Sequence, residues 1–128
     1  MKIYIGNTAW QWFDFLRTRN AGEEANFWQP GGQRDFSALT EGEVFLFRLK
    51  SPINKIAGGG VFLSGSRLPL ATAWEAFGEK NGVESLEALR AVIAQYRREP
   101  SVYDDTPIGC VVLLDPVFRP GTALHWPI

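Results

Sequence analysis

Histidine and cysteine are almost missing from this sequence, which has one of each. A metal site or catalytic dyad built on His125 would need a partner near the chain end that the sequence does not offer, so neither is expected. Cys110 lies in the apolar run Ile108 to Leu114 and reads as a buried core thiol, in keeping with a reducing cytoplasm. No apolar run approaches the ~18 residues of a membrane span. No continuous apolar stretch follows Lys2, so no secretory leader is expected either. An excess of one charge is also lacking: 13 basic and 14 acidic side chains give a formal charge of −1. There is thus no global basic field, and a nucleic-acid surface would have to come from local segregation of charge. No Gly-Lys-Ser/Thr follows Gly58-Gly59-Gly60, which excludes a phosphate loop. Ser64-Gly65-Ser66 has no base to activate a serine, and Asp104-Asp105 reads as a solvated pair in a polar loop. No enzyme active site, metal or cofactor is expected.

A hydrophobic fraction of 45% excludes a disordered chain, and the 128 residues suit one domain, 1–128. The chain is arranged around Glu43 to Leu63. Phe45, Phe47 and Leu49 alternate with Val44, Leu46, Arg48 and Lys50, the period-2 pattern of a strand with one apolar face and one turning basic. Ser51-Pro52-Ile53-Asn54 supplies a turn. A second strand, Ile56 to Leu63, carries Gly58-Gly59-Gly60, where a strand can bend, bulge or admit another backbone. Before this core come a strand over Lys2 to Ile5 ending at a Gly6-Asn7 turn, and a Thr8/Gln11 capping box opening a helix over Ala9 to Arg19. Asn26 to Gly32 reads as an aromatic loop. After it come a polar loop at Ser64 to Arg67, a helix with Pro69 in its first turn that continues through Ala71 to Phe77 and ends at Gly78, and a helix capped by Ser85 with the stripe Leu86, Leu89, Ile93 and Tyr96. A buried strand from Pro107 to Leu114 follows, broken by Asp115-Pro116, with Val117-Phe118 as a candidate extension before the Pro120-Gly121 break. The abrupt apolar end Trp126-Pro127-Ile128 leads to the expectation of a longer parent chain.

A binding pocket is the function these residues support. Of five tryptophans, Trp10, Trp12 and Trp28 lie in or beside expected turns. In Asn26-Phe27-Trp28-Gln29-Pro30-Gly31-Gly32, aromatics abut an amide, a rigid proline and permissive glycines, as a stacking platform requires. An unstacked base presents two π faces and a hydrogen-bonding edge, so a receptor for it needs aromatic plates and a few fixed polar groups. Trp10 and Trp28 are the candidate plates; Asn7, Thr8, Asn26, Gln29 and Ser51 are the candidate edge readers. Arg34, Lys50, Lys55 and Arg67 are candidates for backbone phosphates at the pocket mouth. The plainer reading, that the aromatics plug one end of a barrel, stays open, as does a structural role for the glycine triplet.

The segments NFWQPGGQRDFSALTEGEVFLFRLKSP, KIAGGGVF, LPLATAWEAFGEKNGVESLEALR and IGCVVLLDPVF, in this order, resemble the N-terminal domain of bacterial modification-dependent HNH endonucleases. That domain is SRA-like and belongs to the PUA superfamily with the EVE and YTH base readers. The resemblance implies an α+β fold, a PUA/SRA/EVE-like curved mixed β-barrel with flanking helices. It also implies a module that flips a modified base of DNA, of the methylated or hydroxymethylated cytosine class, into a pocket and targets an associated C-terminal HNH nuclease. The His-Asn-His motif itself does not occur in the chain. The alternative is a PUA-family domain that binds modified RNA or a nucleotide-like ligand, without a nuclease.

Overall fold

In the computed structural model the described residues are 1–19, 22–31 and 36–119. Arg34 and His125 therefore lie outside the described residues.

The elements follow in the order β1 (Ile3–Thr8), α1 (Trp10–Arg19), β2 (Glu24–Gln29), β3 (Val44–Leu49), β4 (Ile56–Pro69), α2 (Leu70–Phe77), a single 3-10 turn (Gly78–Asn81), α3 (Leu86–Arg97) and β5 (Pro107–Phe118). The strands form one mixed sheet in the order β1-β3-β4-β5-β2. β1 runs parallel to β3, and the other pairings are antiparallel. The sheet curls until its two unpaired edges, β1 and β2, face each other. The result is an α+β barrel that is not closed by hydrogen bonds at that seam.

Side-chain alternation explains why this sheet has two cores. Phe45, Phe47 and Leu49 of β3 and Val111 and Leu113 of β5 point inward, where Trp12, Phe13 and Leu16 of α1 meet them. Rings dominate here: Phe13 meets Phe47 and Phe118 edge-on, with centroids 6.3 and 5.3 Å apart. The intervening β5 residues Ile108 and Cys110 face outward and bury Leu70 and Ala73 of α2 with Leu89 and Ile93 of α3. Trp28 packs against both cores. Burial raises the pKa of the Cys110 thiol, opposed by its contact with the Asn26 amide.

The glycine triplet sits where β4 is squeezed between neighbours. A Cβ on Gly58 would collide with the Val117 backbone, and one on Gly59 with the Phe45 carbonyl. Register shifts in β4 at Gly59/Val61 and Phe62/Ser64 add the curvature there. The space beside the triplet is filled by strands β3 and β5, so it is a bend and not a thin wall open to a ligand.

Several local expectations are corrected. Gly6 and Asn7 continue β1 instead of turning, because they pair with Phe47 and Arg48 of β3. The Thr8/Gln11 capping box does not form; Thr8 Oγ1 donates to Gly6 O at 2.9 Å. Asn26 to Gln29 is strand, paired with Val112 to Gly109. Ser64 to Arg67 is also strand, paired with Val112 to Gly109 on the other side of β5. Helix α3 starts as expected, with Ser85 Oγ accepting from Ala88 N at 3.0 Å. Among the described residues no helix is long and apolar enough to cross a membrane.

Candidate nucleobase site

A cleft of about 340 Å³ opens at the seam between β1 and β2. β1 supplies Tyr4 and Asn7, β2 supplies Trp28 and Gln29, and Lys50 and Tyr96 reach in from the end of β3 and the last turn of α3. Gly6 forms part of the wall because a Cβ there would collide with the Phe45 ring and touch Phe27 at 3.4 Å. The glycine thus lets β1 lie directly on the aromatic core.

The plates are held rigidly. Trp28 Nε1 donates to Asn81 O at 2.7 Å, and its ring meets Tyr96 edge-on at 5.8 Å and 65°. Trp12 Nε1 donates to Asn26 O at 3.2 Å. Beneath them, Asn26 Nδ2 donates to Asn81 Oδ1 at 2.8 Å, while Asn81 Nδ2 donates to Ala73 O and Gly78 O at 3.1 and 2.9 Å. Because Asn81 Nδ2 faces two carbonyls, its oxygen must face Asn26, which fixes both amide orientations. Asn26 Oδ1 accepts no bond from nitrogen or oxygen; the Cys110 thiol is the polar group against that amide. Arg97 Nη1 donates to Pro30 O at 3.2 Å and so anchors the exit of β2 to α3.

Among the described residues Lys50 is the one charged side chain lining the cleft. Its backbone N–H donates to Thr8 O at 3.0 Å, and its Nζ lies 4.6 Å from the centroid of the Tyr96 ring.

Of the residues expected from sequence, the fold brings Asn7, Trp28 and Gln29 of the candidate base-binding set and Lys50 of the candidate phosphate-binding set to one cleft. The others are placed elsewhere. Thr8 is buried, its hydroxyl turned back on its own strand. Trp10 stands on α1 against Phe13, centroids 5.9 Å apart, and does not line the cleft. Asn26 is buried beneath the plates, where it positions rather than reads. Ser51 is exposed in the β3–β4 turn. Lys55 and Arg67 are exposed and do not line the cleft. Arg67 nevertheless shares a row with Gln29, since both pair with Gly109 from opposite sides. Tyr4 and Tyr96 were missed as site residues. For Tyr96 the signal was available: a tyrosine in the last turn of an amphipathic helix has an apolar ring and a hydroxyl suited to a wet margin. Among the described residues there is no group of three or more His, Cys, Asp or Glu that could hold a metal.

The fold, an α+β mixed barrel with flanking helices, is PUA-like. Solved structures of an ASCH protein from Zymomonas mobilis share it. One point variant matches with a TM-score of 0.54 and 14% identity over 92% of this chain and 76% of its own. A second variant gives 0.55 and 12% over 91% and 74%. The ASCH structure described without a substitution gives 0.54 and 15% over 88% and 66%. At such identities the likeness is one of fold alone. It carries the PUA-like part of the sequence resemblance and not its SRA-like or HNH-specific part. No protein-family model and no curated protein matches the sequence.

Proposed function

We propose that this chain is a binding module, not an enzyme, that accepts a single nucleobase of a nucleotide or of single-stranded RNA in the cleft between β1 and β2. The carrying observation is the set of groups that converge there: aromatic rings from Trp28, Tyr96 and Tyr4, the amides of Asn7 and Gln29, and one ammonium. Rings offer stacking, worth about 1–3 kcal/mol per base, and amides offer both donors and acceptors to a base edge. The two edge strands add backbone groups that no strand among the described residues occupies. Near 340 Å³ the cleft is at the small end of ligand pockets, roughly 300–1,000 Å³, which suits one base and not a pair. Among the described residues no histidine, cysteine or carboxylate lines it, and the rings and amides that do line it favour recognition over catalysis.

Extrusion of a modified base from duplex DNA, with an associated HNH nuclease, is the rival within the same cleft. Against it stands the charge distribution among the described residues: one lining cation is a sparse footprint for a duplex, whose binding strength comes largely from several phosphate contacts. Tryptophan fluorescence decides between them. The titrants are plain and modified nucleotides, single-stranded RNA, and duplex DNA carrying a methylated or hydroxymethylated cytosine. We expect nucleotides or RNA to bind, and Trp28→Ala to weaken that binding by about 10-fold or more through loss of a stacking plate. Preference for the modified duplex would favour the DNA reading, and no response to any base-bearing ligand would end the proposal.

A further inference from the structure

We infer that the cleft is built for a base that still carries the phosphate of its sugar, and that Lys50 couples phosphate capture to base stacking. The inference rests on the base-binding reading above and specifies its ligand. Three observations carry it. First, among the described residues the ammonium has no ion pair and no carboxylate lines the cleft; its contact there is the face of Tyr96, 4.6 Å from the centroid. An uncompensated cation at the mouth of an otherwise neutral aromatic pocket favours an anionic ligand.

Second, the root of the side chain is clamped. Lys50 N donates to Thr8 O at 3.0 Å, so the end of β3 is tied to the end of β1, while the side chain beyond it is exposed. The flexible stem can therefore swing without moving the strand. Third, Nζ rests over the ring face that a base would use. Tyr96 is 40% exposed and meets Trp28 by an edge-to-face contact, which leaves its face to the ammonium. A base stacking on Tyr96 has to displace that ammonium, and a cation–π contact at an exposed site is weaker than a charge-assisted bond to phosphate. One movement then clears the plate and neutralises the phosphate. A base without phosphate has to displace the cation into water with no such compensation.

The phosphate could belong to a free mononucleotide or to the phosphodiester of a single strand. The test compares a nucleoside, its monophosphate, inorganic phosphate, and a short single-stranded oligonucleotide with the same base at its centre. Each is titrated by tryptophan fluorescence at two salt concentrations against the wild-type chain, Lys50→Met, Lys50→Arg and Tyr96→Leu, after thermal melts establish that every variant folds. The readout is the ratio of monophosphate to nucleoside affinity. We expect about a 10- to 100-fold ratio in the wild type, as for a charge-assisted hydrogen bond. It should fall toward one in Lys50→Met and at higher salt, and persist in Lys50→Arg. Tyr96→Leu should weaken nucleoside and monophosphate together. Tighter binding of the oligonucleotide than of the monophosphate assigns the ligand to a strand, and the reverse assigns it to a free nucleotide. Equal affinity of nucleoside and monophosphate in the wild type overturns the inference but leaves the base-binding reading standing. Inorganic phosphate binding as tightly as the monophosphate also overturns it. No binding by any base-bearing titrant overturns the base-binding reading itself.

Discussion

Asn26 and Asn81 lie fully buried side by side beneath the cleft, and each tryptophan that lines it donates to the backbone of one of them. A buried amide that loses its partners keeps its desolvation cost, so such a network stabilises only while complete. Asn81→Ala removes the side chain that accepts from Asn26 and donates to Ala73 and Gly78. We expect a loss of about 2–4 kcal/mol, the sum of orphaned partners and a small cavity, measured by urea unfolding. Binding should fall as well, because the Asn81 carbonyl that orients Trp28 shifts with its turn. Trp28→Phe tests the orientation more narrowly: the ring stays, the bond to Asn81 O goes, and the expected cost is about 1–2 kcal/mol of stability. The sequence singled out Trp28 as a candidate plate because it stands beside an amide and a Pro-Gly turn, and the fold brings it to the cleft. It could not separate Asn26 from Gln29, since both amides flank the aromatics. Which one reads and which one supports depends on the pairing with β5, which sends Gln29 over Gly109 and Asn26 into the interior.

At the scale of elements, the strand pattern was readable where alternation is strong and hidden where polar residues occupy paired positions. β3 was plain from Phe45, Phe47 and Leu49. β2 was concealed because Asn26 and Gln29 are polar, and the far half of β4 because Ser64-Gly65-Ser66-Arg67 has the composition of a loop. Both are strands because β5 is long and apolar enough to pair on each side, a tertiary effect that overrides local preference. The glycines of β4 are the sharpest test of this packing. Gly59→Ala would drive a methyl group into the Phe45 carbonyl, and we expect about 2–4 kcal/mol of destabilisation or failure to fold. Gly31→Ala, with nothing within 4 Å, should leave the melting temperature nearly unchanged. The joint between β1 and β3 makes a pH prediction. Glu43 accepts from Thr40 N and Lys2 N, both at 2.7 Å, and these bonds, that from Thr40 first, hold its pKa below the ordinary value. A carboxyl whose folded pKa is depressed adds stability above its unfolded pKa and loses it as pH falls through the folded one. The difference in melting temperature between wild type and Glu43→Gln should therefore be present at neutral pH and shrink as pH drops below the carboxylate range. A constant difference across that range would rule out the ionised group as its source.

At the scale of the whole molecule, the position of the cleft follows from the strand order. A five-stranded sheet in the order β1-β3-β4-β5-β2 has β1 and β2 as its two edges, and curling brings unpaired backbone groups on both edges to one place. Sheets usually protect such edges against pairing with other chains. Here Tyr4, Trp28, Lys50 and Tyr96 crowd the gap, which leaves room for a flat ligand and too little for another strand. The arrangement was partly legible: alternation gave neighbouring strands of a curved sheet, composition gave a candidate aromatic platform, and the α+β barrel came from the family resemblance. That β1 faces β2 was not legible, because no local signal reports which strands remain unpaired. Hydrogen exchange tests the consequence directly. In the free protein, edge-facing amides of β1 and β2 near Asn7 and Gln29 should exchange faster than those of β4 and β5, which are paired on both sides. A nucleotide bound at the seam should slow exchange at those edges and at the last turn of α3 around Tyr96. It should leave the exposed turn at Ser51 to Asn54 unchanged. Protection confined to that turn, or to the far half of β4 near Arg67, would move the binding surface away from the seam. The barrel would then be the scaffold of a different site, with the aromatic cleft as part of its core.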